Sequence, residues 1–443
     1  MGEYVEKIFT YEADYSLVNK NKIAQELQRL MPITQRMNII LRNGQAEVYE
    51  TVYSFLRLSN DRVLVEEVLL AVRKHAARKP RLMIIVGIGG SNLGIRAIQE
   101  ALLGCRYNAT EPELKVYYAD SVDTVAMAEL LLIIKVVLDR GHEVICVIIT
   151  KSGTTTETVA NAQLITTLLE QERPLSYKKS IVIITDKNSI MHRIAVAEKI
   201  DYLLIPRNVG GRFSVFSSVG LFPLAMLNIK IEELLSGASY ALECLKSDIS
   251  ANISAQSAVN AYLHYVHGRS INDFFIFDQS LAYLGGWYRQ LVGESLGKKN
   301  YQRHPVGITP TISLGTNDLH SVGQLYLGGP NDKYTTFLRV AYHPQDLVVP
   351  QGIFSSAAPW VEKKSLGCIK EAIFRGVTDA YRERERPFVI LNLPEITPFW
   401  LGVLLQMKMI EIIYLGLLLE VDPFDQPDVE AYKTTTQRIL SNE

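Results

Sequence analysis

Apolar residues recur at helical spacing through the first 75 positions. Ile23, Leu27 and Leu30 form one stripe, Val48, Val52, Phe55 and Leu56 a second, and Val63 to Val72 a third. Pro32 falls between the first two and is expected to break them. Residues 1–75 therefore read as an N-terminal helical region. From residue 81 the pattern changes to short, mostly apolar runs at 81–86, 115–118, 144–149, 180–184 and 202–205. Such runs are too short for typical helices and rich in β-branched residues, which suits buried strands. Helical patterns lie between them, and this alternation predicts a parallel sheet between helix layers. A helical connector is expected over 237–270. The strand signal then returns at 273–277, 334–340 and 388–393, while 311–329 reads as an amphipathic segment with His320 early in it. The chain closes with a helix carrying Gln426, Glu430 and Lys433.

Two strand-to-helix turns carry candidate chemistry. The run at 144–149 leads into TKSGTTTE, which places hydroxyls on Thr150, Ser152, Thr154, Thr155 and Thr156. The spacing from Thr154 to Glu157 matches a capping box. A helix N-terminus offers free N–H groups and the positive end of its dipole, so a hydroxyl-rich turn there suits an anion; a polar turn that only caps the helix is the other reading. The run at 81–86 leads into GIGGSNLG. No Lys follows the glycines, so this is not a nucleotide phosphate loop of the GKS or GKT kind. Asn92 stands where a dinucleotide fingerprint needs its third glycine, which disfavours that reading. In parallel sheets ligands bind beyond the carboxyl ends of the strands, and both turns sit there. Further on, Gly210-Gly211 present Arg212 ahead of an apolar run, where a buried cation needs either an anionic ligand or a structural carboxylate.

Composition narrows the class. The chain has 443 residues, 48% hydrophobic and 21% charged, enough for more than one domain of ordinary globular character. A formal net charge of −1 and the lack of a basic tract argue against a nucleic-acid surface. Cys105, Cys146, Cys244 and Cys368 form no CxxC pair and read as reduced thiols of a cytoplasmic protein. The N-terminal MGEYVEKIFTYEAD is too acidic and polar for a signal peptide. The apolar stretch 399–419 contains Gln406, Lys408 and Glu411, which favours a buried core helix over a membrane span. His264 and His267 have metal-ligand spacing, but no Cys or carboxylate cluster accompanies them, so they read as core or surface histidines.

Six stretches in order carry a resemblance: VGIGGSNLG at 86–94, TKSGTTTE at 150–157, GGRFSVFSSVGLFPLA at 210–225, QLVGESLGK at 290–298, GTNDLHSVGQ at 315–324 and FDQPDVEAYK at 424–433. With these the chain resembles the glucose-6-phosphate isomerase family. The resemblance implies an α/β fold of two sugar-isomerase (SIS) domains, each a three-layer αβα sandwich around a parallel sheet. The domains would span 76–236 and 271–420, with 237–270 connecting them and 421–443 as a C-terminal helix closing the active site. It implies reversible isomerisation of glucose 6-phosphate and fructose 6-phosphate, in glycolysis and gluconeogenesis. The phosphate-binding positions would be Gly90, Ser91, Thr150, Lys151, Ser152 and Thr155, with Gln290 and Gln426 nearby. Glu294 matches the family's proton-transfer base, His320 and Lys433 the residues that assist ring opening, and Arg212 the residue beside the reacting carbons. No metal or other cofactor is implied. The expected partners are the sugar phosphate and a second copy of the chain, a homodimer in which His320 crosses the subunit boundary; neither nucleic acid nor membrane is expected. Three positions depart from the family pattern. Thr150 stands for Ser, Asp428 for Gly, and LYLGGPND replaces a charged run after His320.

Aldose–ketose isomerisation moves a proton between adjacent carbons through an enediolate. A carboxylate such as Glu294 suits the base, and the planar, permanently charged guanidinium of Arg212 suits the negative intermediate. A histidine such as His320 suits the movement of the ring-oxygen proton, since imidazole can both give and take a proton near neutral pH. The phosphate supplies remote binding energy that orients the sugar. Two alternatives stay open on sequence alone. One is an enzyme that also accepts mannose 6-phosphate; the other is a non-catalytic SIS protein that binds phosphosugars and regulates a partner.

Overall fold

The computed structural model describes residues 8–42 and 49–442, so Val48 of the second stripe lies outside the described residues. Strand β1 (Thr10–Glu12) comes first, then helices α1 (Lys20–Arg29) and α2 (Met31–Arg42). Asn19 caps α1 by accepting from the N–H groups of Asn21 and Lys22. Pro32 lies in the first turn of α2, where its missing N–H leaves no bond unmade. The stripe at Val52 to Leu56 forms a 3-10 stretch, Val52–Asn60, not an α-helix. Helix α3 (Arg62–Ala76) follows.

The first sheet is built by β2 (Pro80–Val86), α4 (Leu93–Leu103), β3 (Lys115–Ala119), α5 (Thr124–Asp139), β4 (Glu143–Ile149), α6 (Thr156–Glu172), β5 (Ile181–Asp186), α7 (Ile190–Glu198) and β6 (Asp201–Ile205). All five strands are parallel, in the order β3-β2-β4-β5-β6. The chain thus winds out one way from β2 to β3 and the other way from β4, and the switch falls between β2 and β4. The period of two along a strand divides the sheet between two cores. Leu82, Ile84 and Val86 face the layer holding Ile134 and Ile165. Met83 and Ile85 face a larger core that runs to the second sheet.

Helices α8 (Ser218–Met226), α9 (Ile231–Glu243) and α10 (Ile253–Val266) lead across. The second sheet contains β7 (Ile271–Ile276), which runs into α11 (Ala282–Leu296). A two-residue ribbon, β8 (Lys298–Lys299) with β9 (Pro305–Val306), precedes β10 (Thr309–Leu314) and α12 (Gly323–Gly328). Then come β11 (Lys333–Val340), α13 (Leu366–Glu383) and β12 (Phe388–Leu393). The order is β10-β7-β11-β12-β1. The four strands β7, β10, β11 and β12 repeat the winding of β2, β3, β4 and β5, with the switch now between β7 and β11. Strand β1 adds an antiparallel edge, so this sheet is mixed, not purely parallel.

Strand β10 corrects the expectation of a single amphipathic segment over 311–329. Its Ile312 and Leu314 pack on the large core, while on the opposite face the hydroxyls of Thr311 and Ser313 donate to buried Asp273, at 2.7 and 2.9 Å, and Tyr326 donates to the same oxygen at 3.0 Å. Burial pushes the Asp273 carboxyl up, and the three hydroxyl donors oppose that. The apolar stretch 399–419 is α14 (Pro398–Leu418), apolar all round and buried between the sheets. Its Lys408 donates to Glu411 at 2.7 Å, and Glu411 also accepts from Tyr288 at 3.0 Å. His264 is buried and stacked on Tyr334 at 4.3 Å, and burial pushes it down to about 3. His267 instead points at Leu263 O and Lys22, so the two rings share no site. The chain ends in α15 (Pro427–Asn442), which has no buried residue.

Candidate active site

The first turn lies at the carboxyl end of β2. Gly89 takes a φ of +58°, and a Cβ there would meet Gln290 Nε2 at 2.7 Å. At Gly90 a Cβ would overlap the carbonyl carbon and oxygen of Gly211 at 2.2 and 2.4 Å. Only glycine allows this approach. It joins three distant stretches, 89–91, 210–212 and the α11 face carrying Gln290. Ser91 ends a 3-10 turn, and buried Asn92 donates to Asp120 at 2.7 Å.

The second turn lies at the carboxyl end of β4. Buried Thr150 is its organiser: its Oγ1 accepts from Gly153 N at 3.2 Å and lies 3.3 Å from Thr155 Oγ1. Its carbonyl accepts from Thr185 at 2.6 Å. The capping box expected at Thr154 and Glu157 does not form. The N-cap is Thr155, and its side chain makes no cap bond. Thr154 donates instead to Ser152, through its N–H at 3.2 Å and its hydroxyl at 3.1 Å. The first-turn N–H groups of α6 are thereby left for another acceptor, beside the Ser152 and Thr155 hydroxyls. Lys151 reaches across to Val209 O at 2.9 Å, which ties this turn to the irregular segment between β6 and Gly210.

Arg212 follows, 2% exposed. All five of its N–H groups have acceptors. Nε donates to Ser295 Oγ at 2.8 Å, Nη1 to Glu294 Oε2 at 3.3 Å and to Gln426 Oε1, and Nη2 to Pro423 O at 2.7 Å and Asp425 O at 3.1 Å. Burial pulls its basicity down while Glu294 and Asp425 oppose that, and a guanidinium stays charged throughout. Glu294 is held from both sides, because its other oxygen accepts from Gln290 Nε2 one turn earlier on α11, at 3.1 Å. Its side chain keeps 30% exposure, so it is fixed yet reachable.

Gly90, Gln290, Glu294, Arg212 and Gln426 are therefore drawn into one cluster. Thr150, Ser152 and Thr155 lie together in the neighbouring β4 turn, which Lys151 ties to the chain just before Gly210. His320 and Lys433 stand apart. His320 is exposed at the end of the 3-10 turn Asn317–Leu319. Lys433 bonds Glu430 at 2.8 Å on α15. Among the described residues no hydrogen bond or ion pair links either one to Glu294 or Arg212. Sequence reasoning missed Ser295 and Lys298, although both lie inside the stretch 290–298. Their signal was position alone: they follow Glu294 at the end of an apolar helix.

A parallel sheet with a strand-order switch, two anion-suited turns at that switch and a carboxylate clamped beside them define an α/β protein with a candidate small-molecule site at the carboxyl ends of its strands. Comparison narrows this further: the phosphoglucose isomerase pattern matches residues 34–443, and the chain belongs to that family. It is 33% identical over 397 residues to a glucose-6-phosphate isomerase of Carboxydothermus hydrogenoformans, covering 86% of this chain and 84% of the relative. To the enzyme of the same name from Clostridium tetani it is 30% identical over 429 residues, covering 95% and 93%. A crystal structure of a hypothetical protein from Thermus thermophilus superposes with a TM-score of 0.85 at 28% identity, covering 98% of this chain and all of the other. A glucose-6-phosphate isomerase structure from Chlamydia trachomatis shares the fold, with a TM-score of 0.79 at 19% identity over 98% of this chain and 89% of that one.

Proposed function

We propose that the chain catalyses the reversible isomerisation of glucose 6-phosphate and fructose 6-phosphate, as a cytoplasmic enzyme of glycolysis and gluconeogenesis. The observation that carries this is Glu294, held between Arg212 and Gln290 next to Gly89 and Gly90. The sugar phosphate binds with its phosphate in the two turns, held by Gly90, Ser91, Thr150, Lys151, Ser152 and Thr155, with Gln290 and Gln426 alongside. Thr150 acts there mainly by shaping the turn. Glu294 removes the proton from carbon 2 of the open-chain aldose and delivers it to carbon 1. The intermediate enediolate is negative, and the Arg212 guanidinium offsets that charge. Its N–H groups are already engaged, so it acts by its field and by sharing Nη1, without breaking a bond. His320 and Lys433 assist ring opening. Because His320 is exposed and, among the described residues, makes no bond to Glu294 or Arg212, we assign it to the site of a second copy in a homodimer. The halves 76–236 and 271–420 act as the two SIS domains, joined by 237–270, and 421–443 brings Lys433 over the cleft.

A coupled assay of fructose 6-phosphate conversion, read for both hexose 6-phosphate epimers with and without chelator, tests the proposal. Glucose 6-phosphate should form at a rate that chelator leaves unchanged. Formation of neither epimer would leave a phosphosugar-binding protein without catalysis, and formation of both would broaden the substrate.

A further inference from the structure

Lys298 opens β8, two residues past the end of the helix that carries Glu294. Its side chain is 6% exposed. An ammonium has three N–H groups, and Lys298 has three acceptors, all on one short loop: Asp422 O at 2.7 Å, Asp425 O at 2.7 Å and Asp425 Oδ1 at 2.6 Å. Arg212 grips the same loop from the other side, through Pro423 O, Asp425 O and the Gln426 side chain. The carbonyl of Asp425 thus accepts from both cations. The start of the loop has an apolar anchor, Phe424 packed on Tyr53 and Phe213 at 5.1 and 5.6 Å. Its end has none. Helix α15 leaves directly after Gln426 and buries no residue, so no apolar face fixes its direction.

We propose that Lys298 is a positioning residue for the isomerase reaction: with Arg212 it sets the end of the 422–426 loop, and so delivers Gln426 and the Lys433 helix toward Glu294. This rests on the isomerase reading above. A long neutral side chain in its place keeps the packing and releases two carbonyls and a carboxylate. The loop end and the root of α15 then move together, while Glu294 keeps its bonds to Arg212 and Gln290.

The test is a double-mutant cycle of Lys298→Met with Lys433→Ala, combined with amide hydrogen exchange over 422–442. If Lys298 acts through the helix, Lys298→Met lowers kcat/KM by about tenfold or more in the parent and by about threefold or less once Lys433 is gone, the remainder being the share that acts through Gln426. Exchange in the loop and first turn of α15 speeds up. Equal losses in both backgrounds, with exchange unchanged, would overturn the proposal. If Lys298→Met does not fold, Asp425→Asn takes its place; it weakens one of the three contacts and should show the same non-additivity at smaller size. A parent chain without isomerase activity would defeat the isomerase reading and, with it, this role in catalysis. The exchange measurement would still decide whether Lys298 holds the loop.

Discussion

Glu294→Gln keeps the size of the side chain and can keep both of its contacts, but it has no basic oxygen. Turnover is expected to fall by about 10²-fold or more with little change in substrate binding. Exchange of the carbon 2 proton with solvent should fall in step, because it needs the same abstraction. A folded variant that exchanges this proton at the parent rate would remove Glu294 from the mechanism. At the β4 turn, Ser152→Ala and Thr155→Ala would, on the proposed function, each remove a hydroxyl donor to phosphate. Hydrogen bonds to charged groups contribute about 1.5–3 kcal/mol, so KM should rise while kcat holds. Unchanged affinity for a phosphate-competitive inhibitor would reduce the turn to a scaffold. Arg212 shows where single residues were legible. Its need for partners followed from its place between a glycine pair and an apolar run. Which partners it takes did not, because Ser295, Pro423 and Asp425 come from segments more than 80 positions away.

Among the elements, the repeated winding gives each sheet a crevice at its switch. In the first sheet glycine and hydroxyl turns line it. In the second, Asp278 fills it: this 7% exposed carboxylate accepts from Val340 N at 3.2 Å and from Lys370 at 2.5 Å, and lies 3.1 Å from His343 Nε2. Burial pushes the Asp278 carboxyl up, but His343 and Lys370 outweigh it and hold it below its ordinary value. A depressed carboxyl contributes stability that is fully present above its unfolded value, about 3.9, and is lost as pH falls through the folded value. The parent should therefore lose stability on acidification below about pH 4 more steeply than Asp278→Asn, as followed by thermal melting across that range. Parallel curves would mean that the cluster does not couple to folding. The strands with unbroken apolar runs were legible because both faces are buried. Strand β10 was not, since only one of its faces is apolar and the other, Thr311 and Ser313, serves Asp273. Strand β1 was not, since three residues hold no period. The hydroxyl turn was legible as the junction of a strand and a helix, but the capping box did not form: the pattern cannot tell a side chain that turns back to cap from one that turns to its neighbour.

For the whole molecule, a site completed by His320 from a second copy predicts complementation. Chains carrying His320→Ala and chains carrying Glu294→Gln should each be nearly inactive. Mixed and allowed to exchange subunits, they form hybrid dimers with one intact site of two. A 1:1 mixture then recovers about a quarter of parent activity under random pairing. No recovery, with exchange verified by mass, would show that each chain uses its own His320. Assembly within one chain has a consequence of its own, set by β1. Its Thr10 hydroxyl accepts from the Asn392 side chain 382 residues away, and Tyr15 O accepts from Phe388 N. A ribosome adds about 5–20 residues each second, so roughly 20 to 75 seconds separate the synthesis of the two partners. Through that interval Phe9 and Tyr11 have no sheet edge to join, although the first sheet has all its strands once Ile205 is made, about halfway through. Strand β1, made well before its partner, is thus among the last elements to be sheltered, and it stays open to a chaperone until β12 is made.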